Sequence, residues 1–204
     1  MITYCQFNRG WRLLLVALTL CLSACSSRPP EQPVLTWPQR QLQLQQLIRY
    51  QARGSLIYRT PERSFYARFN WQQNGPNHLQ WRLTHPLGQT LLLLEQQGST
   101  VRLQDHQGQH YQGEQAEQFL QCQSGLELPL PLLAHWLIGL PTPHDQYQLD
   151  SQQRLKQLIH ADPSPIHLNY LAYRDQGRLS LPTQLQLEIG SHRLLLKIDQ
   201  WTLP

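Results

Sequence analysis

The 204-residue chain carries 17 Lys and Arg against 13 Asp and Glu, a formal net charge of +4, and is 40% hydrophobic. That length allows one domain with a sizeable core plus a leader. The mild positive excess, without any dense Lys/Arg cluster, excludes the electrostatic footprint of a nucleic-acid binder.

The first element is a leader. Arg9 and Arg12 precede an apolar run from Leu13 to Leu22, and the small residues Ser23 and Ala24 follow. Cations, a short apolar stretch and small residues are the layout of a secretory signal. The run is too short for a bilayer, whose crossing takes about 20 apolar residues. Leu22-Ser23-Ala24-Cys25 resembles the lipobox of bacterial lipoproteins. That resemblance implies cleavage of residues 1–24, a diacylglyceryl group on the thiol of Cys25 and acylation of the new amino end. Several acyl chains, at about 0.8 kcal/mol per buried methylene, anchor stably where one does not. The alternative is an ordinary signal with a coincidental cysteine. Residues 25–36, with Pro29, Pro30 and Pro33, read as the lipidated cysteine and an extended tether. Cys5 and Cys21 leave with the signal, so Cys122 has no partner for an internal disulfide. It reads as a small buried residue, with a reactive thiol as the other reading.

Residues 37–204 form the domain. Pro38 suits the first turn of a helix, whose inner stripe is Leu44, Leu47, Ile48 and Gln51 at spacings of three and four. The period then drops to two. Leu56 and Tyr58, then Phe65, Ala67, Phe69 and Trp71, then Leu79, Trp81 and Leu83 alternate with polar residues, and Asn74-Gly75-Pro76 supplies a turn. Leu91 to Leu94 is apolar on both faces. Val101 and Leu103 form a further strand, turned by Gln107-Gly108 into His110-Tyr111. Two helical stretches interrupt this meander, residues 114–124 ahead of Gly125 and residues 131–138 ahead of Gly139. Strands resume at residues 147–149, 155–159, 167–173, 183–189 and 193–201. The glutamines interleave with apolar residues at strand spacing and read as solvent-facing. The expected fold is mainly β: a single curved antiparallel sheet of about 10–11 strands, an incomplete barrel, covered by about three helices that act as a lid over an apolar cavity.

Catalytic signatures are absent from the sequence, which holds no Gly-x-Ser-x-Gly, His-Glu-x-x-His or glycine-rich phosphate loop. His106 and His110 have metal-like spacing, but a turn separates them, so no metal or cofactor is expected. His85 and His135 read as loop and helix surface.

Several islands then fit together: Trp37; Gly54-Ser55-Leu56; Ala67-Arg68-Phe69-Asn70-Trp71; His85-Pro86-Leu87-Gly88; Gly125-Leu126-Glu127-Leu128-Pro129; Leu133 to Pro141; Tyr170-Leu171-Ala172-Tyr173; Leu181-Pro182; and Ile198-Asp199-Gln200-Trp201. In this order, behind a lipobox, they resemble the LolB family of outer-membrane lipoprotein receptors of Gram-negative bacteria. The chain departs from the family at Ile166, where a tryptophan is usual.

The resemblance implies an incomplete barrel with a helical lid and a hydrophobic cavity. It implies a non-enzymatic function: a lipid-anchored protein of the outer membrane, facing the periplasm, accepts acylated lipoproteins from a LolA-type carrier and inserts them into the inner leaflet. Outer-membrane phospholipid is the final sink, and a monomer is expected. Ser26 after Cys25 is compatible with outer-membrane sorting. Candidate acyl-chain contacts are Leu56, Phe69, Trp71, Leu79, Trp81, Leu92, Trp136 and Leu196, which read as plain core if the interior is filled. Pro86, Leu87 and Gly88 make a tight turn with an apolar residue at its tip. By resemblance this is the membrane-insertion loop; the residues alone favour packing of Leu87 on the rim of the sheet. Two further readings are a phospholipid-binding lipoprotein and a structural docking lipoprotein with a filled core, with an anchored hydrolase more distant.

Overall fold

The computed structural model describes residues 35–113, 118, 120, 121, 128–161 and 165–204. The chain divides into two units, residues 1–34 and 35–204, and the described residues belong to the second. The signal, Cys25 and most of the tether therefore lie outside the described residues, as do Cys122 and residues 125–127. Of the helix expected at 114–124, only Gln118, Leu120 and Gln121 are described; all three are helical.

Eleven strands form one antiparallel sheet: β1 (Arg49–Arg59), β2 (Ser64–Gly75), β3 (His78–Thr84), β4 (Thr90–Gln97), β5 (Thr100–Asp105), β6 (His110–Gly113), β7 (Asp145–Leu149), β8 (Leu155–His160), β9 (Ile166–Gln176), β10 (Leu179–Ile189) and β11 (His192–Thr202). Their order is β6-β5-β4-β3-β2-β1-β11-β10-β9-β8-β7. Every neighbour is a hairpin partner except β1 and β11, which join the first and last strands of the chain at the middle of the sheet. The sheet is thus open between β6 and β7. Both edge strands are short, which limits the unpaired backbone they present.

The alternation read from the sequence sets the inner face. Leu103, Leu94, Trp81, Trp71, Ala52 and Trp201 stand opposite one another on six successive strands, and all are buried. Trp71 and Trp81 form a cross-strand aromatic pair with ring centroids 6.0 Å apart. A second row joins Leu56 to Leu196, Leu185 and Tyr170.

Two helices are described in full, α1 (Trp37–Gln45) and α2 (Leu130–Leu137). In α1, Gln39 Oε1 accepts the Thr36 N–H at 3.1 Å, and Pro38 sits in the first turn as expected. The expected stripe, however, runs past the helix end. The Leu47 N–H bonds back to Leu44, only three residues earlier, and β1 has begun by Arg49. Gln51 pairs with Gln72 and Thr202 on the two flanking strands, and Ile48 is exposed. The cause is the ladder: a strand between two partners satisfies its backbone on both sides, which one more helical turn does not match.

Helix α2 ends as Gly139 and Pro141 suggest. The Gly139 N–H bonds to Trp136 O and the Leu140 N–H to His135 O, with Gly139 at φ +80°. This is a Schellman motif, and its left-handed position favours glycine.

Candidate functional site

Seven of the eight expected acyl-chain contacts lie on the inner sheet face: Leu56 on β1, Phe69 and Trp71 on β2, Leu79 and Trp81 on β3, Leu92 on β4 and Leu196 on β11. The eighth, Trp136, projects from α2. All eight are buried, and they share one cluster of packed side chains. Ile166, the departure from the family pattern, is buried at the end of β9 where it pairs with Ile189.

Polar contacts fasten α2 to the sheet. The Tyr50 hydroxyl donates to Ala134 O at 2.6 Å and the Tyr170 hydroxyl to Trp136 O at 3.0 Å. Burial pushes both phenols above their ordinary pKa, so both stay protonated and donating. The Trp136 indole N–H donates to Asp145 Oδ2 at 2.9 Å, the Thr142 N–H meets the same oxygen at 2.6 Å, and His160 Nδ1 lies 2.7 Å from Oδ1. His160 also stands edge-on to Trp136, with centroids 5.8 Å apart. No sequence signal marked Asp145 or His160, because they lie on different strands and meet only when β7 pairs with β8.

A recess of about 360 Å³ opens where α1 ends and β2 turns into β3. Leu44, Leu47, Tyr50, Leu130, Ala134 and Ile138 contribute to its wall, together with Leu79. Of the eight expected contacts only Leu79 reaches it; the other seven belong to the packed interior. Leu44 and Leu47 were legible as an apolar stripe, but Tyr50 was hidden by the overlong helix. Volumes of this order suit small-molecule sites.

The opposite end of β3 carries the Pro86-Leu87-Gly88 turn. The Gly88 N–H donates to His85 O at 2.8 Å, the His85 N–H to Gln89 O at 2.8 Å, and the Leu87 N–H meets His85 Nδ1 at 3.3 Å. Gly88 holds φ +95° with open space around it, so the backbone conformation, not crowding, calls for glycine. Leu87 is 90% exposed, the highest value among the exposed large apolar residues. Tip and recess stand at the two ends of one strand, about 20 Å apart at strand rise. Among the described residues no helix is long and apolar enough to cross a membrane.

Arg40 on α1 is a charged feature that sequence reading missed. Its side chain lies against the β7–β8 turn, where Nη2 donates to Gln152 O at 3.4 Å. Beside it, Arg154 binds the Asp150 carboxylate at 2.7 Å and covers the Tyr173 ring at 4.5 Å.

The family profile described as Outer membrane lipoprotein LolB matches residues 48–201. The outer-membrane lipoprotein LolB of Erwinia tasmaniensis is 36% identical over 203 residues, spanning 96% of this chain and 97% of its own. The protein of that name from Klebsiella pneumoniae strain 342 is 38% identical over 200 residues, spanning 95% and 98%. Among solved structures, a LolA superfamily protein from Nitrosomonas europaea is similar with a TM-score of 0.52 at 12% identity, over 83% of this chain and 94% of that one. A DUF1329 family protein from Desulfovibrio piger is similar with a TM-score of 0.56 at 9% identity, over 80% and 89%. At such identities these two likenesses concern the fold alone.

Proposed function

The chain belongs to the LolB family, and from that premise we propose that it is a lipid-anchored outer-membrane lipoprotein that receives acylated lipoproteins from a LolA-type periplasmic carrier and delivers them to the inner leaflet of the outer membrane. It acts as a monomer, without cofactor, and catalyses no reaction. Cys25 holds the anchor, and residues 25–36 form the tether.

The observation that carries this reading is the apolar inner sheet face, open between β6 and β7 and covered by α2. Acyl chains in water cost about 0.8 kcal/mol per methylene, so a carrier has to hide them and then release them. Non-directional apolar walls suit both tasks, since they tolerate different chains. The recess, with Leu79 in its wall, is where acyl chains enter, and the seven packed contacts behind it become cavity wall as the chains are taken in. Transfer needs no fuel when each successive site buries more apolar surface, with the bilayer as the last.

Leu87 is the group that meets phospholipid. Burying one leucine contributes about 1.5–3 kcal/mol, enough to orient the tip but not to hold the protein. The test is a transfer assay with lipoprotein-loaded carrier and phospholipid vesicles. Wild type is expected to move cargo into the vesicles. Leu87→Glu is expected to keep its fold and still accept cargo from the carrier, yet deliver slowly. Equal delivery by both proteins removes the role of the tip, and failure of the wild type to accept cargo removes the function itself.

A further inference from the structure

We propose that Arg40, on the face of α1 turned toward the β7–β8 turn, is the core of an oxyanion-binding site that takes a phosphate group. The inference is independent of the acyl-chain reading, since Arg40 does not line the recess. Its residue is only 7% exposed. Its Nε and Nη1 groups are buried and have no hydrogen-bond partner among the described residues. The remaining nitrogen, Nη2, makes one long contact with a backbone carbonyl. A guanidinium stays charged at any ordinary pH, so it cannot relieve this position by losing a proton. Buried charge without partners is costly, and an oxyanion is the ligand that satisfies a planar fork of donors.

The surroundings do not supply that anion from within. Among the described residues, Arg154 and Asp150 from the β7–β8 turn and Tyr173 and Asp175 from β9 lie within the electrostatic reach of Arg40. Asp150 is engaged by Arg154 through Nε and Nη2 and by two backbone N–H groups of its own turn. Asp175 forms no ion pair with Arg40 among the described residues. The Arg154–Asp150 pair beside it is neutral as a unit, so the attraction for a tetrahedral anion comes from the Arg40 fork itself. The contact such an anion displaces is the weak one to Gln152 O, in the turn where Gln153 holds φ +58°.

The test is thermal unfolding of the mature protein at fixed ionic strength with three additives: inorganic phosphate, dihexanoyl phosphatidylglycerol below its micelle concentration, and dihexanoylglycerol, which lacks phosphate. The expected result is a rise in Tm that grows with the logarithm of concentration above Kd and reaches about 3–6 °C at tenfold excess, absent with dihexanoylglycerol and absent in Arg40→Met. A response to inorganic phosphate identifies a free anion as sufficient; a response to the phospholipid alone identifies a headgroup. Arg53→Met, at an exposed position on β1, should respond as wild type does. Should Arg40→Met fail to fold, Arg40→Lys keeps the charge without the fork and is expected to respond more weakly. No rise with either phosphate compound, or an equal rise in wild type and both Arg40 variants, overturns the site.

Discussion

Asp145 has a side chain with no exposed surface, and donors from Trp136 and Thr142 converge on it beside His160. Removing the carboxylate while keeping those groups strands them in an apolar interior, which costs more than the contacts themselves contribute. Asp145→Ala is therefore expected to lose about 2–4 kcal/mol, since each stranded donor costs about 1–3 kcal/mol, read as a fall in the urea midpoint. Asp150 behaves differently because it is partly exposed. Burial pushes its carboxyl up, but hydrogen bonds from the Arg154 side chain and backbone outweigh this and hold it below the usual carboxylate value. A depressed folded pKa means that the unfolded chain binds the proton more readily. The contribution is whole above the ordinary value of about 3.9 and is lost as pH falls through the folded one. Urea titrations across that window are expected to show a steeper loss in wild type than in Asp150→Asn. At Leu87 the expectation is the reverse of both: the exposed tip has no packing to lose, so Leu87→Glu should stay within about 0.5 kcal/mol of wild type.

Between elements, glycine does two separate jobs. Gly54 sits where the β1–β11 register slips, with Arg53 opposite Gln200 and Gly54 opposite Ile198. A Cβ at Gly54 would overlap the carbonyl oxygen of Lys197, backbone that cannot swing aside as a side chain can. Gly139 is different: a Cβ there makes only ordinary contact with Pro182, and the cost is its left-handed φ. Gly54→Ala is expected to lose about 3 kcal/mol, the upper range for overpacking, and Gly139→Ala about 1 kcal/mol. Chemical denaturation that reversed this order would contradict the assigned register. The Trp37–Tyr147 contact, with the indole N–H on the hydroxyl at 3.0 Å, shows how α1 is seated: its N-terminal end rests on β7 while its C-terminal end borders the recess.

For the molecule as a whole, the decisive feature is that β1 and β11 close the middle of the sheet while β6 and β7 leave its edges unjoined. An apolar probe such as N-phenyl-1-naphthylamine is expected to bind at the recess. Ala134→Phe, which narrows it without touching the backbone carbonyl that Tyr50 holds, should weaken that binding about tenfold, or 1.4 kcal/mol. Unchanged affinity would place the probe elsewhere. Strands, hairpin turns and the helix stop at Gly139 were legible in the sequence because each rests on local causes, a period of two or a glycine that tolerates positive φ. The exposure of Leu87 was not, since its residues alone favoured packing on the rim and only the family resemblance pointed outward. The end of α1, the β1–β11 bulge, the unpaired guanidinium of Arg40 and the convergence on Asp145 were not. Each depends on partners far away in the chain, and a local pattern holds no record of which distant backbone or charge will arrive beside it. The residues of the inner face were written in the alternation; only the tertiary packing decided that Leu79, alone of the eight, reaches the recess.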